Sequence, residues 1–185
     1  SRVAPAPFVS LREIAADREA RGLGEELVAS GRTAFLTVAG GQGSRLGFEG
    51  PKGLFPVTPL RRLTLFALFA EKLLAARRRY GAAIPWLIMT SRGNHEDTRR
   101  AFEQADWFGL GAATVRFFTQ GMLPALSPDG RLLLADDGGL FWSPDGHGGV
   151  IGGLRSSGLL AELSAAGVEE LFHFQVDNPL VTVPD

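Results

Sequence analysis

A short uncharged run, Thr33-Ala34-Phe35-Leu36-Thr37-Val38-Ala39, passes directly into Gly40-Gly41-Gln42-Gly43. Apolar on both alternating faces and closed by glycine, it reads as a strand buried on both sides, the kind found in largely parallel α/β sheets. The next segments keep that pattern. Phe66, Phe69, Ala70, Leu73 and Leu74 recur at helical spacing, and the stretch closes on Arg77-Arg78-Arg79-Tyr80-Gly81, so an amphipathic helix is expected over 64–80. The arginines suit the negative end of its dipole. A strand is expected over 86–89, a helix over about 94–104 and a further strand over 115–118. The order β, α, β, α, β implies a parallel sheet with helices on its faces.

Before the first strand, Leu11, Ile14, Ala15, Leu23 and Leu27 show helical spacing interrupted at Gly22 and Gly24, which predicts two short helices on the outside of the domain. Residues 1–32 are therefore read as a helical segment packed on the core, and 33–185 as the α/β part that carries the sheet. Residues 126–141 read as a turn at Ser127-Pro128-Asp129-Gly130 followed by a short hairpin inserted into the pattern. Helical segments over 150–166 lead into a last strand, 171–176, with Phe172, Phe174 and Val176 on one face. No internal repeat divides the chain.

Composition excludes several classes of function. With 19 basic against 20 acidic residues and a net charge of −1, no general field favours nucleic acid or an anionic membrane surface, so any anion must be caught locally. Cysteine is absent, which removes disulfides, thiolate metal sites and thiol nucleophiles. The longest apolar stretch, around 63–76, is broken by Glu71 and Lys72 and falls short of the roughly 18 to 20 residues of a membrane span. Ser1-Arg2-Val3-Ala4-Pro5 lacks the basic-then-apolar order of a signal peptide. A soluble, cytoplasmic protein is expected. The 24 glycines, nearly double the usual ~7%, concentrate at 40–53 and 138–153 and mark two loops built to let backbone approach something closely.

In open α/β sheets ligands bind outside the carboxyl ends of the strands. Those ends carry Gly40 to Gly47, Thr90-Ser91-Arg92, Thr119-Gln120-Gly121 and Asp177-Asn178. The glycine loop can turn backbone N–H groups toward phosphate oxygens, with Arg45 adding charge and paired hydrogen bonds. A tight strand-to-helix turn would use the same glycines. A Walker loop is excluded because Lys52 stands between Pro51 and Gly53 rather than before Ser or Thr. An NAD-type fingerprint is disfavoured because its third glycine is one place late and the acidic residue about 20 positions on is missing. Lys52, one of two lysines among 19 basic residues, is a compact point charge suited to α-phosphate oxygens.

The run LTVAGGQGSRLGFEGPKGLFPV, starting at Leu36, resembles the signature of the uridylyltransferases that make UDP-sugars: the UDP-N-acetylhexosamine, UDP-glucose and broad-range UDP-sugar pyrophosphorylases. Blocks at 85–91, 117–125, 143–149 and 176–178 resemble the family in its own order, so the resemblance covers roughly 33–183. It implies a Rossmann-like three-layer nucleotidyltransferase sandwich with a mostly parallel, mixed sheet that is incomplete toward its C-terminus. It also implies UTP and a sugar 1-phosphate as partners, with neither nucleic acid nor membrane, and Mg²⁺ as cofactor.

By position, the resemblance implies that Ala39, Gly40, Gly41 and Gly43 hold uridine and phosphate through backbone, that Arg45 and Lys52 are the catalytic phosphate binders, and that Gln120 and Gly146 read the uracil edge, as an amide side chain and a backbone group can. Asp177 would meet the nucleotide directly or through Mg²⁺. His147 would contact the sugar. The acetylhexosamine branch has Asn there and the glucose and broad-range branches have His, whereas Gln120-Gly121-Met122-Leu123-Pro124 follows the acetylhexosamine branch. The implied reaction is attack of a sugar 1-phosphate oxygen on the α-phosphorus of UTP with loss of pyrophosphate. Since family members continue well past this point, a fragment that binds UTP or UDP weakly and turns over poorly is expected; a non-catalytic uridine-nucleotide module is the alternative. His95 and His173 read as surface and packing residues.

Overall fold

The computed structural model describes residues 6–183; the readings placed on 1–5 and on Pro184-Asp185 fall outside the described residues. Four strands make its central sheet: β1 (Thr33–Val38), β2 (Trp86–Thr90), β3 (Val115–Thr119) and β6 (Glu170–Gln175). They lie in the order β3-β2-β1-β6, with every pairing parallel. β2 and β3 step outward from β1 in one direction and β6 returns to its other flank, so the strand order reverses at β1. This reversal is where an open α/β sheet leaves a crevice beyond its strand ends.

β1 is buried on both sides because each of its faces meets a layer of helices. Phe35 packs with α2 (Arg18–Ala29), α3 (Leu65–Tyr80) and α4 (His95–Gln104), in a cluster containing Val28, Phe66, Phe69, Leu73, Trp86 and Phe102. Ala34 and Leu36 face the other way, toward Leu154 of α5 (Val150–Ser156) and Leu159 and Leu163 of α6 (Leu159–Ala165). The result is three layers. The polar atoms of the Trp86 and Thr37 side chains drawn into it are paired, since the indole N–H donates to the hydroxyl at 2.8 Å.

α3 begins where Thr64 accepts from the Ala67 amide and stops at Gly81, which takes φ +70°. Its apolar stripe is the buried one: Phe66, Phe69, Ala70 and Leu73. The N-terminal helices differ from expectation. Their break falls at Asp17, whose carboxylate caps α2 by accepting from Ala20, rather than at Gly22 or Gly24, which lie inside α2. α1 (Leu11–Ala16) opens on a reciprocal Ser10–Glu13 capping box. The capping side chains set the boundary more strongly than two glycines whose Cβ positions are open. Ile14 and Leu23 stay exposed, and Val28 is the buried anchor of α2.

The insertion is also longer than its turn signal suggested. It is an antiparallel ribbon rooted at β4 (Met122–Pro124) and β5 (Trp142–Pro144), extended by bridges Leu126↔Leu132 and Leu134↔Leu140. It leaves the sheet directly after β3 and delivers the chain back to the start of α5, so both of its roots stand at the carboxyl rim.

Candidate active site

The sheet brings the ends of β1, β3 and β6 and the foot of the ribbon around one cleft of about 220 Å³. Val38, Gly40, Gly41, Lys52 and Asp177 line it together with Gln120, Gly146 and His147. It opens at the reversal point between β1 and β6. A larger hollow of about 660 Å³ lies against α1, α2 and the end of α3, but its charged groups are already engaged, in the Arg21–Glu25 and Arg79–Glu25 pairs and in the Asp17 cap of α2. The smaller cleft is the better candidate because its polar groups converge on open space.

Lys52 sits in a 3-10 turn, Lys52–Leu54, and its ammonium meets the Asp177 carboxylate at 3.0 Å across a sequence separation of 125. The two residues read separately from sequence as phosphate and metal binders are thus each other's partners. With side chains 21% and 49% exposed, this pair belongs to the class worth about 1 kcal/mol or less, weak enough for a polyphosphate to open.

The glycine loop divides into two parts. Among the described residues the Gly40 and Gly41 amides donate to nothing, whereas the Gly43 amide is committed to the Gly50 carbonyl at 2.8 Å. Leu46, Gly47 and Phe48 also spend their amides within the loop. The phosphate-cradle reading therefore narrows to Gly40 and Gly41. Gly43 is needed for space, since a Cβ there would run into the Phe48 ring and backbone. Ala39 is fully buried, with its amide on the Met89 carbonyl, so it anchors the loop from below instead of facing the cleft. Arg45 lies on the exposed turn Ser44–Leu46, outside the cleft lining.

Gln120 is held through its own amide, which donates to Thr90 at 2.8 Å, and its side chain lies so close over Gly40 that any Cβ at 40 would collide with it. Its carboxamide makes no hydrogen bond to a described residue, leaving a donor and an acceptor directed at the cleft. Gly146 takes φ +65° at the ribbon's return. His147, next to it, stands edge-on to His173 of β6 with ring centroids 5.6 Å apart. Partial burial, and secondarily the His147 charge, hold the His173 imidazole below its ordinary range. His173 therefore borders the site. His95 is more than a surface residue too: its Nδ1 pairs with the Thr90 hydroxyl at 2.7 Å and its ring abuts Phe117.

Two supporting residues escaped the sequence reading. Asn94, 1% exposed, donates to the carbonyls of Ala39 (2.9 Å) and Gly41 (3.2 Å) and accepts from the Ser91 amide and hydroxyl. It occupies the N-cap position of α4, yet its side chain makes no capping bond to its own helix and instead braces the glycine loop. Asp145 wedges its carboxylate against Gly121 and Gly149, leaving no room for a Cβ at either, and one of its oxygens is buried without a partner among the described residues. Its signal was the glycine on either side of the ribbon foot.

Among the described residues there is no cluster of three or more histidines or carboxylates able to hold a metal by themselves. Mg²⁺ commonly takes one or two carboxylates and completes its shell with phosphate oxygens and water. A lone, half-exposed Asp177 on the wall of an anion-ready cleft fits that mode.

Residues 5–185 match the family model for UTP--glucose-1-phosphate uridylyltransferase. A Schizosaccharomyces pombe protein named "Probable UDP-N-acetylglucosamine pyrophosphorylase" is 40% identical over 167 residues, covering 85% of this chain and 35% of the relative. The UDP-N-acetylglucosamine pyrophosphorylase of Saccharomyces cerevisiae is 35% identical over 167 residues, covering 88% and 35%. Among solved structures, a Trypanosoma brucei UDP-N-acetylglucosamine pyrophosphorylase in complex with inhibitor superposes with a TM-score of 0.80 at 30% identity, over 93% of this chain and 38% of that one. The chain spans about a third of the length of the curated relatives it matches.

Proposed function

Since the chain belongs to the UTP--glucose-1-phosphate uridylyltransferase family, we propose that it binds UTP and serves in the transfer of UMP to a sugar 1-phosphate with release of pyrophosphate. The observation that carries this reading is the convergence, on one cleft at the sheet's reversal point, of the Lys52 ammonium, the Gly40 and Gly41 amides and the unpartnered Gln120 carboxamide. The carboxamide suits the uracil edge, which offers both donor and acceptor. The two amides and the ammonium suit the phosphates. N-acetylglucosamine 1-phosphate is the favoured sugar, on the names of the relatives at 35 to 40% identity, and His147, in the cleft lining, is the side chain assigned to it in this reading.

In the reaction an oxygen of the sugar 1-phosphate bonds to the α-phosphorus as the bond to the pyrophosphate oxygen breaks in line. No protein nucleophile is required. The chain's own work is positioning and charge: Lys52 releases Asp177 and moves onto α-phosphate oxygens, while Gly40 and Gly41 fix the phosphate chain. Asp177, freed from Lys52, is the residue that would hold Mg²⁺, which when bound supplies further charge neutralisation at the phosphates. Arg45 acts only if its exposed turn folds inward over bound nucleotide.

Calorimetric titration of UTP with Mg²⁺, against ATP and NADH, tests the reading. UTP is expected to bind in preference to both, and Lys52→Ala to weaken it about ten- to a hundredfold, the range of a charge-assisted contact. Equal affinity for UTP and ATP would sink it.

A further inference from the structure

Only two of the chain's 19 basic residues are lysines. Lys52 faces the cleft; the other, Lys72, lies in the middle of α3 and points to the segment that follows β6. Its ammonium donates to the carbonyl oxygens of Pro179 at 2.7 Å and Val181 at 2.6 Å, residues more than 100 positions away. Neither carbonyl receives a backbone N–H from a described residue. The segment itself has little internal structure: Asn178 donates to Gln175 at 3.2 Å and Val181 to Asn178 at 3.3 Å, both long, and no regular element follows β6 among the described residues. Val181 and Val183 rest against the core beside α3. The ammonium nitrogen lies over the Phe69 ring, 5.8 Å from its centre, and burial pushes the amine below its ordinary value.

We propose that Lys72 is a positioning residue for Asp177: by joining the Pro179 and Val181 carbonyls to α3, it staples the turn that leaves β6 and so sets where the Asp177 carboxylate stands over the cleft. Asp177 is two residues from the first stapled carbonyl, inside the same pair of turns, and its only side-chain partner among the described residues is Lys52. The two lysines thus hold one loop from opposite ends. A compact ammonium with three tetrahedral donors can serve two converging carbonyls while keeping its stem in the apolar layer. The proposal rests on Asp177 belonging to the nucleotide site.

Amide hydrogen exchange of the full chain, wild type and Lys72→Met, reads the staple without any ligand. Amides from Asn178 to Val183 are expected to exchange about tenfold faster or more in the variant, with those of β2 unchanged. If Lys72→Met does not fold, Lys72→Gln, which keeps a neutral donor, is expected to raise exchange in the same segment about threefold. Unchanged exchange in this segment in a folded variant overturns the proposal, as does an equal rise throughout the sheet. UTP titration then reads the consequence. Lys72→Met is expected to weaken UTP about three- to tenfold in the Asp177 background and to have no further effect beside Asp177→Asn. Full additivity overturns the positioning role. Failure of wild type to prefer UTP would instead count against the uridylyltransferase reading, leaving the exchange result to decide the staple.

Discussion

Asn94→Asp separates two roles that a sequence cannot tell apart. If Asn94 served as an ordinary helix N-cap, aspartate would replace it within a few tenths of a kcal/mol, since both side chains cap well and a carboxylate suits the helix dipole. In the structure, however, the Nδ2 group donates to two carbonyl oxygens, those of Ala39 and Gly41. A carboxylate would turn acceptor toward acceptor at a site 1% exposed. The Gly41 carbonyl keeps the Lys52 amide at 3.0 Å, but Ala39 is fully buried, and orphaning its carbonyl costs about 1–3 kcal/mol. The added buried charge, held only by the Ser91 amide and hydroxyl and facing no counter-ion, raises the total to about 3–5 kcal/mol. With a urea dependence of about 1–3 kcal/mol per molar, the unfolding midpoint is expected to fall by at least about 1 M. Asn94→Ala, which orphans the same carbonyl without adding charge, is expected to lie between Asn94→Asp and wild type. A midpoint for Asn94→Asp within about 0.3 M of wild type would refute the brace and restore the cap.

Three further outcomes are expected from the packing and the charges. Gly53→Ala is expected to lower stability by about 1–3 kcal/mol, or about 2–4 °C per kcal/mol in a calorimetric melt, because its Cβ would strike the Phe66 ring, which Trp86 and Phe102 already enclose. Gly41→Ala, whose Cβ would meet only Cε and Nζ of Lys52 at 3.7 and 3.9 Å, serves as the tolerated control for stability. Gly149→Ala is expected to cost a similar amount to Gly53→Ala through collision with the Asp145 carboxylate; Asp145→Ala in the same chain should recover most of it, and simple additivity in denaturant melts would exclude the contact. The folded chain holds the His173 imidazole below its ordinary value of about 6.5, so between the two values the unfolded chain binds the proton more readily. Stability is therefore expected to decline as pH falls through and below 6.5, and His173→Gln to flatten that slope in melts taken from about pH 7.5 to about 5.5.

Nucleotide chemistry could be inferred from residues that lie close together in the chain. The buried β1 run, the stripe on α3 and the turn glycines are read from neighbours within a few positions, because backbone sterics and the two side-chain periodicities act at that range. The ordered blocks carried the family, and the strand-end rule carried Gly40, Gly41, Gln120 and Asp177 to the rim. The N-terminal break was misplaced because Gly22 and Gly24 are visible as breakers, whereas the capping geometry of Asp17 depends on its local backbone. The loop residues were over-read for a related reason. A glycine-rich run shows where amides are accessible, but which amides are already spent depends on the return of the chain at Gly50.

Only the tertiary structure decided which side chains meet. Lys52 with Asp177, Lys72 with Pro179 and Val181, and His147 with His173 join distant parts of the chain because β6 returns beside β1; Asn94 reaches Ala39 because β2 lies along the other flank of β1. A sequence specifies the types of group available; distance and burial determine whether a lysine is free for phosphate, held by a carboxylate or stapling a backbone. Those two quantities come from the fold as a whole, through the order in which its strands are laid down.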